Sequence, residues 1–117
     1  MKKPPNRIRD NPEARIQAEI IKMLRNKGWY VTNIHGNMFQ SGLPDLYATH
    51  SRYGARWIEV KLPNMKGSKF TAAQLDCFPK LEANGTPIWI MTAATESEYQ
   101  KLFAASNFFA YRFMKGV

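Results

Sequence analysis

Apolar side chains near the start of the chain recur at helical spacing. Ile16, Ile20, Met23, Leu24 and Lys27 define one buried stripe. Asn11 suits the cap of that helix, Pro12 its first turn, Glu13 the positive end of its dipole, and Gly28 its stop. Glu19 falls on the shoulder of the stripe, away from Lys22 and Arg25 on the far side. An acid there is either a rim residue or a group reaching into a site.

The pattern then changes period. Trp29 to His35 is β-branched and aromatic and predicts a strand. Residues 36–44, rich in Gly, Asn and Ser, read as a loop. Asp45 to Thr49 predicts a second strand, and polar Ser51 to Gly54 turns the chain into a third, Ala55 to Leu62. Alternation on that third strand puts Ile58, Val60 and Leu62 on one face and Trp57, Glu59 and Lys61 on the other.

Pro63 and Gly67 introduce a basic loop carrying Lys66 and Lys69. A helix from Thr71 to about Ala83 follows, with Gly85 as its stop and a kink or restart expected at Pro79. Pro87 to Thr92 reads as a fourth strand buried on both faces. Thr95 and Glu98 form a capping-box pattern opening a last helix to about Ser106. The aromatic stretch Phe108 to Phe113 is expected as a final strand or packing tail. The predicted fold class is α/β, a small mixed sheet flanked by helices.

Composition narrows the possible partners. The 117 residues fit one domain, expected over residues 11–117, preceded by a flexible basic arm at residues 1–10 with Lys2, Lys3, Arg7 and Arg9. Seventeen Lys and Arg against nine Asp and Glu give a net charge of +8, which favours polyanions. No apolar run is long enough for a membrane span, and residues 1–10 lack the apolar core of a signal peptide. The lone Cys77 excludes an intramolecular disulfide and a cysteine-built zinc site, and fits a cytoplasmic location. Nucleic acid is therefore the leading partner.

The candidate chemistry lies in Gly42-Leu43-Pro44-Asp45, thirteen intervening residues, and Glu59-Val60-Lys61. If the second and third strands pair as a hairpin, two carboxylates meet one ammonium. Hard oxygen ligands hold magnesium, and a divalent ion beside a phosphodiester supplies the charge stabilisation its hydrolysis needs. The lysine adds a compact positive charge and can hold the attacking water. The bland alternatives are a turn started by Pro44-Asp45 and a solvated strand face bearing Glu59 and Lys61.

The order of four blocks resembles the PD-(D/E)xK nuclease superfamily and, within it, the VRR-NUC (virus-type replication-repair nuclease) family. The blocks are Gln17-Ala18-Glu19, Ser41-Gly42-Leu43-Pro44-Asp45-Leu46, Trp57-Ile58-Glu59-Val60-Lys61 and Thr71-Ala72-Ala73-Gln74. They span roughly residues 12–92. The resemblance implies a restriction-endonuclease-like core in the order αβββαβ. It also implies Mg2+ or Mn2+ held by Asp45, Glu59, the Val60 carbonyl and Glu19. Lys61 would orient or activate water, and Gln74 would position water or the scissile phosphate. Leu62-Pro63 departs from the small or polar residues expected after the lysine. Small free-standing family members resemble bacteriophage proteins and dimeric junction resolvases. A homodimer, with its contact sought at Phe108 to Phe113, would match a four-way junction.

The expected function is thus a metal-dependent DNA endonuclease acting on branched DNA such as Holliday junctions. The alternatives are a non-catalytic basic nucleic-acid-binding module and a flap or nicking exonuclease. Lys66 and Lys69, together with the arm residues, are candidates for phosphate contacts. Gln74 also completes a capping box with Thr71, a purely structural role. His35 and His50 have no partner at ligand spacing, Ser41 has no triad, and Trp29, Trp57 and Trp89 read as core rather than as base-stacking platforms.

Overall fold

A computed structural model describes residues 11–34, 42–64 and 69–112. Helix α1 (Pro12–Asn26) is capped by Asn11, whose side chain accepts the Ala14 amide. Strands β1 (Tyr30–Asn33), β2 (Leu46–His50) and β3 (Gly54–Val60) follow, then helix α2 (Ala72–Ala83) and strand β4 (Ile88–Met91). The sheet order is β1-β2-β3-β4. The first three strands are antiparallel neighbours, and β4 joins β3 in parallel across the α2 crossover. This is the expected αβββαβ order in a mixed sheet flanked by helices.

Alternation along the strands divides the interior in two. On one face, Ile20 and Leu24 of α1 pack on Val31, Leu46, Ala48, Ile58, Val60 and Met91. On the other, Phe78 of α2 packs with Ile88, Ile90 and Phe108. Burying both faces of β4 explains why Ile88–Met91 is apolar throughout.

Several local expectations are corrected. Helix α2 runs through Pro79 without a restart, anchored on either side of the proline by buried Phe78 and half-buried Leu81. The last predicted helix is shorter than expected: α3 spans Glu96–Gln100 and passes into a 3-10 turn, Lys101–Phe103. Thr95 caps α3 by accepting the Glu98 amide, but the Glu98 carboxylate turns to Thr92 and Lys101 instead of closing a capping box.

The aromatic stretch forms a helix, α4 (Phe108–Arg112), and not a strand. Helical geometry drops Phe108 into the core against Phe70 and Phe78, with ring centroids 5.3 and 5.2 Å away. Phe108 is therefore unavailable as the dimer contact sought there, and Phe113 lies outside the described residues.

The β4 margin is closed by side chains. Glu82 accepts the Ile88 amide at 2.9 Å, Asn107 the Ile90 amide at 2.6 Å, and Glu98 the Thr92 amide at 2.8 Å. Asn107 also donates to the Ile90 carbonyl at 3.2 Å. Every second amide along this edge thus has a local acceptor.

Candidate active site

Asp45 and Glu59 are brought together by β-pairing. Leu46 faces Ile58 in the register, so Asp45, just before β2, comes opposite Glu59 near the end of β3. The two residues lock each other. The Asp45 amide donates to Glu59 Oε1 at 3.2 Å, and Asp45 Oδ2 accepts the Val60 amide at 2.9 Å.

The approach of the chain to Asp45 depends on Gly42. Its φ is +91°, and a Cβ there would stand 2.8 Å from the Ala73 carbonyl oxygen. A loop pressed this closely against α2, in a left-handed conformation, requires glycine. Pro44, buried, then leads directly into the acid.

Lys61 and Gln74 complete the group. Glu59 is 1% exposed and Lys61 3%. The Lys61 ammonium donates to the Lys69 carbonyl and to Gln74 Oε1, each at 3.1 Å, and lies 3.4 Å from Glu59 Oε2. It also sits 4.7 Å from the centroid of the Phe70 ring. Gln74 Nε2 donates to Glu59 Oε2 at 2.8 Å, while its Oε1 additionally accepts the Thr71 amide. The capping box and the site contact therefore coexist in one side chain.

Electrostatics mark Glu59 as the unusual group. Burial pushes its carboxyl up to about 8, and the Asp45 charge pushes in the same direction. Lys61 and the Gln74 hydrogen bond pull it down without restoring an ordinary value, and Glu13 adds a further upward push. A buried carboxyl thus stands beside a half-buried one with too little positive charge to ionise both easily. That donor set of hard oxygens fits magnesium or manganese. Among the described residues no three His, Cys, Asp or Glu side chains converge as metal ligands, so the protein offers a carboxylate pair and not a closed cage.

The acid expected from α1 stands apart from the pair in this structure. Glu19 is exposed and lines a surface hollow with Lys22, Met23, Asn26, Lys27 and Ala94, without joining the Asp45–Glu59 group. Glu13 is the α1 acid that acts on Glu59. It precedes Ile20 and Leu24 by seven and eleven residues, within about 20° of the same helix line. Glu19 is rotated about 120° from Glu13. The signal was present in that spacing, but Glu13 reads from sequence only as a dipole complement.

Of the phosphate-contact candidates, Lys69 is exposed and offers its carbonyl to Lys61. Lys66, the arm residues Lys2, Lys3, Arg7 and Arg9, and also His35 and Ser41 lie outside the described residues. His50 accepts the Arg52 amide and packs between Trp29 and Tyr53, away from the acids in a tilted aromatic group. Among the described residues no helix is long and apolar enough to cross a membrane.

No family model matches the sequence, and no curated protein does. Among solved structures, a VRR_NUC domain superposes with a TM-score of 0.58 at 20% sequence identity, covering 78% of this chain and 95% of that one. At this identity the likeness is one of architecture: the chain has the fold of a VRR_NUC domain.

Proposed function

We propose that the protein is a metal-dependent nuclease that hydrolyses phosphodiester bonds in structured DNA, with branched DNA as its substrate. The single observation that carries this reading is the mutually bonded pair of half-buried Asp45 and buried Glu59, the latter of which cannot ionise easily without a cation. Asp45, Glu59 and the Val60 carbonyl would hold Mg2+ or Mn2+. Bound there, the ion supplies Lewis-acid polarisation of the phosphate and acidifies water.

The chain's own groups do the positioning. Glu13 adds negative charge beside the pair and replaces Glu19 in this role. Lys61 places a fixed positive charge where charge grows on the phosphate, and its 3.4 Å contact with Glu59 is the longest of its three polar contacts. A phosphate oxygen or water takes over that contact. Gln74 holds Glu59 and Lys61 in register through one amide. The +8 charge draws the polyanion to the site.

The test is incubation of branched and linear DNA with the protein and manganese, beside Asp45→Asn and Glu59→Gln. Cleavage by the wild type alone is expected. Intact DNA under conditions where the wild type binds it would replace this reading with that of a non-catalytic binding module.

A further inference from the structure

Among the described residues, the sheet face that carries the acids is only half covered. In register, one row across this face runs Thr32, Tyr47, Trp57, Ile88, and the neighbouring row contains Asp45, Glu59 and Ile90. Among the described residues, α2 and α4 pack over Ile88, Ile90 and the Trp57 side of that face. The β1–β2 half shows Tyr30, 75% exposed, with exposed Thr32 and half-buried Tyr47 and Thr49. The Tyr47 and Trp57 rings lie 4.6 Å apart between centroids, inclined at 45°.

Tyr47 follows Asp45 by two residues, and Trp57 precedes Glu59 by two. Same-face neighbours on a strand stand about 7 Å apart. The aromatic pair is therefore continuous with the acid pair on the same two strands, one side-chain step away.

We infer that the open half of this face is a stacking platform, built on Tyr47, backed by the half-buried Trp57 and extended by Tyr30, for unpaired DNA bases flanking the phosphate held at Asp45 and Glu59. The inference rests on the nuclease reading for the position of the phosphate. A duplex keeps its base faces inside its own stack, whereas an unpaired nucleotide presents one to an aromatic ring. The net charge of +8 suits a nucleic-acid strand and disfavours a basic or neutral partner. The platform selects DNA with a single-stranded segment at the cut, which flaps and splayed-arm branches contain and uniform duplexes and fully paired four-way junctions lack.

The experiment measures binding without turnover. In EDTA at fixed salt, fluorescence anisotropy of a dye-labelled dT oligonucleotide is compared with that of a hairpin duplex of equal charge. The wild type is expected to prefer the single strand. Tyr47→Ala should weaken single-strand binding about tenfold while changing duplex binding less than about twofold, and Tyr47→Phe should restore it. Addition of dT should quench the half-buried Trp57, a change absent from Trp57→Phe. Should Tyr47→Ala fail to fold, exposed Tyr30→Ala provides the same comparison. Equal losses on both ligands, or no loss in a folded variant, would overturn the platform. Single-strand preference without cleavage in manganese would keep the platform and remove the nuclease reading. Cleavage of both ligands alike by wild type and Tyr47→Ala would do the reverse.

Discussion

Gln74 Nε2 stands 2.8 Å from Glu59 Oε2, and the same amide accepts from Lys61. One side chain on α2 thus sets the separation of an acid near the end of β3 and a base just beyond it. Thr71 helps to hold it, because its hydroxyl accepts the Gln74 amide at 3.1 Å. The two residues can be separated by mutation. Thr71→Ala should cost about 1 kcal/mol of stability through the lost cap and leave the cleavage rate near wild type. Gln74→Ala should cost roughly 1–3 kcal/mol, since buried partners lose their bonds, and should also slow cleavage at least about tenfold. Thermal melts and single-turnover rates check both.

Asp45→Asn and Glu59→Gln should each lower the cleavage rate by roughly three orders of magnitude, about 4 kcal/mol of barrier, while DNA affinity stays equal or improves as one repulsive charge is removed. Single-turnover cleavage together with anisotropy measures the two effects. Loss of affinity in a folded variant would remove these residues from the metal role.

The raised pKa of Glu59 makes stability depend on pH. Unfolded, the carboxyl ionises near 4.5, whereas folded it holds its proton up to about 8. The native state therefore binds the extra proton between these values, and stability falls as pH rises from 4.5 to 8 and then levels. The loss is roughly 3–5 kcal/mol in metal-free buffer. A divalent cation at a hundredfold excess over its Kd should restore about 2.7 kcal/mol at pH 8. At pH 5 the proton competes and the gain should shrink. Denaturant melts with EDTA or manganese at both pH values decide the matter; a flat pH profile would contradict it.

Substituting each of the two α1 acids decides between Glu13 and Glu19. Glu13→Gln should shift the apparent manganese affinity severalfold, about 1 kcal/mol, because it changes the charge felt by Glu59. Glu19→Gln should leave it unchanged. Manganese titration of the melting temperature reads both variants.

Gly42→Ala and Gly54→Ala both place a side chain at positive φ, +91° and +84°. Only the first meets an obstacle, the Ala73 carbonyl oxygen at 2.8 Å, whereas at Gly54 nothing lies within 4 Å. Gly54→Ala should cost about 1 kcal/mol from backbone strain alone. Gly42→Ala should cost about 2–4 kcal/mol and misplace Asp45, visible as a joint loss of melting temperature and rate.

The strand core and the Asp45–Glu59–Lys61 group were legible because period-two alternation across a short turn leaves few ways to pair β2 with β3. Gln74 was legible for two reasons that proved to be one, a cap and a contact. Glu19 stood out in the sequence because Met23 and Lys27 drew the inferred stripe toward its flank, while the packed line follows Ile20 and Leu24 back to Glu13. Of the two forms expected for Phe108 to Phe113, a strand or a packing tail, the described residues take the second, as a short helix, for a tertiary reason. Aromatic residues favour strands on average, but Phe70 and Phe78, themselves in edge contact, offer a third ring a place against both, and a single helical turn delivers Phe108 to it.

Asn107 and its two carboxylate neighbours give β4 the standing of a finished border. A foreign strand approaching there must first evict Glu82, Asn107 or Glu98, each already spoken for. Ribbon-like growth between molecules is discouraged on that flank, and the short segments after β4 act as its seal.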